Sequence, residues 1–112
     1  MKAPERGDLL WIDFDPQKGR EQAGRRPALV LTPARYNGLV GLLIACPATA
    51  HAKGYPFEAA IPDGLPVQGV VLADHLRSLD WRGRRAEFIC KAPAQLVDEV
   101  LARVHALFGD EP

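Results

Sequence analysis

The chain has 112 residues, with 14 Lys and Arg against 14 Asp and Glu, 47% hydrophobic residues and 10 each of Gly and Pro. That length fits one domain spanning residues 1–112, with a core thin enough that a second subunit covering apolar surface would add stability. Zero net charge excludes attachment to nucleic acid by bulk electrostatics alone, yet leaves room for a locally basic groove. The start, MKAPERGDLL, is charged where a secretory leader needs an apolar run of about 7 to 15 residues. No run reaches the ~18 apolar residues of a membrane span, so a cytoplasmic protein is expected. Cys46 and Cys90 sit in apolar runs without CxxC spacing and read as small buried hydrophobes in a reducing compartment.

In chain order, DLLWIDF (8–14) and ALVLT (28–32) are short, aliphatic or aromatic, and bounded by Gly, Pro and Asp, the pattern of strands. Trp11 is expected in the core. Between the two strands, residues 15–26 are too polar to pack and too long for a tight hairpin, hence a surface loop of the kind that carries function. TPARYNG is expected to turn the chain, with Asn37-Gly38 as its strongest turn dipeptide, before a third strand over 39–47. FEAAIP, QGVVLAD (68–74), HLRSLD (75–80) and AEFICK (86–91) complete six or seven short strands, the signature of a small barrel or sandwich. Then Leu96, Val97, Val100, Leu101, Val104, Leu107 and Phe108 recur at steps of three and four, predicting one amphipathic helix between Pro93 and Gly109.

No metal or nucleotide motif is present, and His51, His75 and His105 are far apart in sequence, so no metal or cofactor is expected. The first polar loop is the informative segment. Lys18, Arg20, Arg25 and Arg26 face one acid, Glu21; a second cluster sets Arg77, Arg82, Arg84 and Arg85 against Asp80. Either cluster alone reads most simply as a solvated face, and an isolated Glu21/Arg26 pair as a surface ion pair. Arginine excess is nevertheless the right chemistry for phosphates, because the planar fork binds them bidentately. Tyr55 and Trp81 lie in or beside polar loops, where exposed rings stack unpaired bases.

Three blocks, RGDLLWIDFDPQKGREQAGRRPALVLTP, ACPATAHAKGYPF and GVVLADHLRSLDWRGR, strongly resemble the MazF/PemK family of toxin endoribonucleases, in order and with nearly unbroken spacing over residues 6–108. The resemblance implies a mainly β fold, an SH3-like small barrel with a C-terminal helix. It also implies a homodimer whose grooves accept single-stranded RNA, and a cognate antitoxin whose acidic tail occupies the same groove. The implied reaction is metal-independent, sequence-specific cleavage by the 2′-hydroxyl, leaving a 2′,3′-cyclic phosphate and a 5′-hydroxyl. Carried over by motif, the catalytic residues are Glu21, Arg26 and Thr49. The reaction needs a base, charge stabilisation and a protonated leaving oxygen. Glu21 suits the base, Arg26 the phosphate clamp and Thr49 a hydrogen-bond donor to a phosphate oxygen. An arginine with an ordinary pKa above about 12 is a poor acid, so electrostatics ranks first for Arg26.

The implied RNA-binding candidates are Lys18, Arg20, Gln22, Arg25, Lys53, Tyr55, Arg77, Ser78, Trp81 and Arg84. Arg25 and His51 occupy loop positions that could bias base preference. A PemK-like branch of the family uses an Arg two residues before the Asp of the VLAD block. Here that position is Leu72, which aligns the chain with the MazF branch and leaves Asp74 without an assigned role. Two alternatives remain: a non-enzymatic gyrase poison of the CcdB kind on the same architecture, and a catalytically silent RNA-binding module. The EQxGxRP loop together with Thr49 argues against both.

Overall fold

The computed structural model describes residues 2–16, 19–21 and 23–109. Seven strands run β1 (Asp8–Asp13), β2 (Arg25–Val30), β3 (Leu42–Thr49), β4 (Glu58–Ala60), β5 (Val70–Leu72), β6 (Arg77–Asp80) and β7 (Glu87–Lys91). A short helix α1 (Ala34–Val40) precedes β3, a single 3-10 turn covers Ala73–His75, and helix α2 (Ala94–Phe108) closes the chain. Every pairing is antiparallel, in the order β4-β5-β3-β2-β1-β7, as expected for a mainly β protein with a C-terminal helix. β3 branches: residues 42–45 pair with β6, whereas Ala48 and Thr49 pair with β5.

Side chains alternate across a strand, and here both faces of the central strands are buried. Leu9, Leu29, Cys46, Ala48, Val71 and the α2 residues Leu96, Val97 and Val100 form one core, with Leu101 and Val104 packed at its margin. Leu10, Ile12, Phe14, Ala28, Val30, Leu43, Ala45, Leu79 and Trp81 form the other. Two buried faces explain why DLLWIDF and LLIACP read as continuous apolar runs rather than alternating ones. Helix α2 follows its predicted stripe up to Val104, but Leu107 and Phe108 are exposed.

The structure corrects five expectations. Arg25 and Arg26, expected at the end of the loop 15–26, open β2 instead. Asn37-Gly38 lies inside α1, and the third strand starts at Leu42, not 39. The Asn37 side chain is the cause: fully buried, it donates through Nδ2 to the carbonyls of Pro4 (2.8 Å) and Thr32 (2.9 Å) and accepts from Thr32 Oγ1 (2.6 Å). With both ends of the amide satisfied by tertiary partners, the local turn preference loses. Chain reversal falls instead at Gly41, whose φ of 81° is the left-handed conformation that ends helices and whose N–H caps Asn37 O at 3.0 Å. Trp11, expected inside, is 40% exposed: the core built on α2 takes in Leu9 but not Trp11. Trp81, expected at an RNA-binding surface, has no exposure and donates Nε1–H to Asn37 O at 3.0 Å.

Candidate active site

Arg26 and Thr49 are brought together by strand register. Ile12 faces Arg26 across β1 and β2, and Ala28 faces Pro47 across β2 and β3. The period of two therefore puts Arg26 and Thr49 on the same sheet face, at the end where the Phe14/Trp81 core gives way to solvent. Both line a cleft of about 780 Å³ with Arg20, His51, Lys53, Tyr55, Glu58, Leu72, Asp74 and His75. Glu21 lies in the adjoining cleft, about 290 Å³, with Phe14, Pro47, Leu76 and Arg77. Arg20, Asp74 and His75 line both spaces and so form the divide between them.

Local bonds fix Arg26, Thr49 and Arg77 among these groups. Arg26 Nε donates to Ala23 O at 2.8 Å, which orients the guanidinium across the loop. Thr49 is 9% exposed, and its Oγ1 accepts the His51 N–H at 3.2 Å. Its own hydroxyl hydrogen thus remains available to donate to a ligand. Behind Thr49 stands Gly69 at φ 107°: a Cβ there would meet Thr49 O at 2.0 Å, so only glycine permits the approach of the two backbones. Arg77 donates to Phe14 O at 2.8 Å and lies over the Phe14 ring at 5.5 Å, presenting its remaining face to the smaller cleft. The base of the loop is closed by Phe14 N–H on Gly24 O (2.8 Å) and Gly24 N–H on Asp15 Oδ1 (2.9 Å).

Four of the ten binding candidates, Arg20, Lys53, Tyr55 and Arg77, line these two clefts. Lys18 and Gln22 lie outside the described residues. Arg25 sits beside the cleft, in a side groove with Trp11, Arg26 and Thr49, but is committed to Asp13 and Glu87 at 3.2 Å each. Arg84 is spent on the carbonyls of Asp13 (3.1 Å) and Asp15 (2.6 Å), where it braces the loop from below. Ser78 is exposed on β6 opposite Ile44 and does not line the clefts, and Trp81 is core. The second arginine cluster is therefore largely structural: Arg85 pairs with Asp13 at 2.9 Å and Arg82 lies 4.1 Å over the Trp81 ring. The Arg85 guanidinium, ahead of that of Arg25, holds the Asp13 carboxyl below the usual carboxylate range. Burial, reinforced by Asp74, pushes the Cys46 thiol up to about 12 and leaves it inert beside the site.

Sequence reasoning left His75 uninformative, Asp74 unassigned and Glu58 unnoticed, yet all three line the larger cleft. Among the described residues no group of three or more His, Cys, Asp or Glu side chains is placed to hold a metal ion, and no helix is long and apolar enough to cross a membrane.

A small antiparallel β fold with a terminal helix holds arginines, a threonine and a carboxylate along a two-part open cleft, donors and a base of the kind that phosphate chemistry needs. Residues 5–108 match the family of PemK-like, MazF-like toxins of type II toxin–antitoxin systems, and the chain belongs to that family. It is 43% identical over 106 residues to the endoribonuclease toxin MazF of Escherichia coli K12, covering 95% of each chain. It is 38% identical to the endoribonuclease toxin ChpB of the same organism, over 92% of each chain. Among solved structures, MazF of Deinococcus radiodurans superposes with a TM-score of 0.93 at 59% identity, over 96% of this chain and 97% of that one. A MazE–MazF complex from the same organism matches at 0.85 and 53%, over 97% and 98%. The chain is thus an endoribonuclease of the MazF/PemK family, which sets aside the gyrase-poison and silent-module alternatives.

Proposed function

We propose that this endoribonuclease cleaves single-stranded RNA at short sequence motifs through Glu21, Arg26 and Thr49, without a metal. The observation that carries the reading is the continuity of the two clefts: Arg26 and Thr49 in the larger space and Glu21 in the smaller share the walls Arg20, Asp74 and His75. A phosphodiester lying across that divide has a carboxylate on one side and a cation with a hydroxyl donor on the other. Glu21 takes the proton from the 2′-hydroxyl as its oxygen attacks the adjacent phosphorus. Arg26 and Thr49 stabilise the charge that builds on the phosphate oxygens. The P–O5′ bond breaks, a proton is delivered to O5′, and the products carry a 2′,3′-cyclic phosphate and a 5′-hydroxyl.

Flanking nucleotides are held by Arg20, Lys53 and Arg77, with the Tyr55 ring, 62% exposed, as a stacking platform. The same cations suit the acidic tail of a cognate antitoxin; the Deinococcus radiodurans relative forms a complex with MazE. A second copy of the chain covers apolar surface that one copy leaves in water, of which Tyr36, Leu39 and Val40 on α1 are examples.

The test is cleavage of a long RNA in EDTA with the 5′ ends mapped by sequencing. The wild-type protein should cut at one short motif, and Glu21→Gln and Arg26→Ala should each lose at least 100-fold in rate while melting normally. Cleavage that survives in the well-folded double variant would remove the assignment.

A further inference from the structure

We infer that Glu58 is a positioning residue for RNA binding: its carboxylate holds the β3–β4 loop in the conformation that presents Lys53 and Tyr55 to the cleft. The inference rests on the reading that RNA occupies that cleft. An acid is out of place there on electrostatic grounds alone, because it shares the wall with Arg20, Arg26 and Lys53 and would repel phosphates. Its bonds explain its presence. Oε1 accepts the backbone N–H groups of Lys53 (3.1 Å) and Gly54 (2.9 Å), and Oε2 accepts that of Lys53 at 3.0 Å.

Two successive N–H groups converge on one anion because Gly54 adopts φ 81°, a concave arrangement of backbone donors. The Glu58 N–H in turn donates to Tyr55 O at 3.1 Å, closing the loop on itself. From outside, α2 adds a tie: Arg103 Nε donates to Pro56 O at 3.2 Å. The segment that bears the exposed Tyr55 ring is therefore tied down by the carboxylate and the backbone N–H of Glu58 and by Arg103 of α2, while residues 50–56 are themselves exposed.

This role and the bare charge of Glu58 predict opposite signs. Deleting an anion from a phosphate-binding wall should tighten RNA; releasing the loop should weaken it. Steady-state cleavage of a single-stranded oligonucleotide containing the mapped site reads the difference. Glu58→Ala should raise KM about tenfold, the worth of roughly one stacked base, with kcat changed by less than about threefold. Glu58→Asp keeps the charge but draws it back by one methylene, out of reach of the two N–H groups, and should behave like Glu58→Ala. Glu58→Gln keeps an acceptor at the Oε1 position, within reach of both N–H groups, but sets an NH2 group against the Lys53 N–H where Oε2 accepted it, and should recover only part of the lost affinity. Arg103→Ala should shift KM in the same direction by less.

A KM that falls or holds in Glu58→Ala overturns the inference, as does a Glu58→Gln as weak as Glu58→Ala. Should Glu58→Ala fail to fold, the contrast between the Gln and Asp variants decides the matter on its own. Arg26→Ala is the control: if it cleaves normally the active-site assignment is wrong, whereas an inactive Arg26→Ala beside an unaltered Glu58→Ala removes only the role of Glu58.

Discussion

Replacing Trp81 with Phe separates two roles that an aromatic residue next to an arginine cluster could have. In the structure the indole has no exposure: it belongs to the core of Leu10, Ile12, Phe14, Leu43 and Leu79, the Arg82 guanidinium lies 4.1 Å over its ring, and its Nε1–H donates to Asn37 O. Phenylalanine keeps most of the apolar contact but loses that bond, about 1 kcal/mol net. It also leaves a void where the second ring stood, of the order of another 1 to 2 kcal/mol. The carbonyl of Asn37 keeps the Gly41 N–H, so no buried acceptor is left without a partner. The total of about 2 to 3 kcal/mol corresponds to a fall in Tm of roughly 8 to 12 °C for a domain of this size. Far-UV circular dichroism against temperature measures it without relying on tryptophan emission. RNA cleavage at 20 °C, well below either transition, should keep its KM within twofold. A variant that melts like the wild type but has a KM raised tenfold would place the ring on the RNA and refute the core assignment.

Gly69→Ala should damage both stability and activity. The new Cβ would lie 2.0 Å from Thr49 O and 2.8 Å from Ala50 Cα, at a φ that side chains rarely adopt, so the backbone behind Thr49 must move. A loss of about 2 to 4 kcal/mol by chemical denaturation and of roughly 100-fold in cleavage rate is expected; wild-type values in both would show that the approach is not needed. Acid should weaken the fold through Glu5 and Asp13, whose carboxyls are held below their usual range chiefly by Lys91 and Arg85. A depressed carboxyl stabilises fully above its unfolded value near 4 and loses that contribution as pH falls through the lower folded value. The drop in Tm between pH 5 and pH 2.5 should therefore shrink in an Asp13→Asn variant, and an unchanged drop would exclude Asp13 as a contributor.

Much of this was legible in the sequence because period and chemistry coincide. The strands announced themselves as bounded apolar runs, and α2 by its three- and four-residue steps. What failed did so where a distant partner outweighs a local preference. Asn37 is a turn former only while its amide lacks partners; Pro4 and Thr32, on other segments, supply them. Trp81 is followed by Arg-Gly-Arg-Arg and reads as surface, since nothing local shows that Asn37 O waits beneath it. Trp11 reads as core because which strand residues the core on α2 takes in is a tertiary fact. At the site, the family resemblance and not residue type singled out Glu21, Arg26 and Thr49, and the charge clusters misled. Counting cations cannot distinguish Arg20, which lines both clefts, from Arg84, which is spent on carbonyls. Glu58 was invisible for a related reason: an acid four residues past a glycine has no meaning until its carboxylate is seen to collect the N–H groups of Lys53 and Gly54.

The tie from Arg103 to the loop carbonyl of Pro56 bears on the order in which the protein is made. The chain leaves the ribosome amino terminus first, and β1, β2 and β3 are neighbours both in sequence and in the sheet. That meander already carries Arg26 and Thr49. Asp74 and His75 come later, and the helix that steadies the Tyr55 loop comes last. A nascent chain thus holds the residues proposed as the phosphate clamp before it has a complete groove, and the groove stays unfinished until residue 103 has left the exit tunnel.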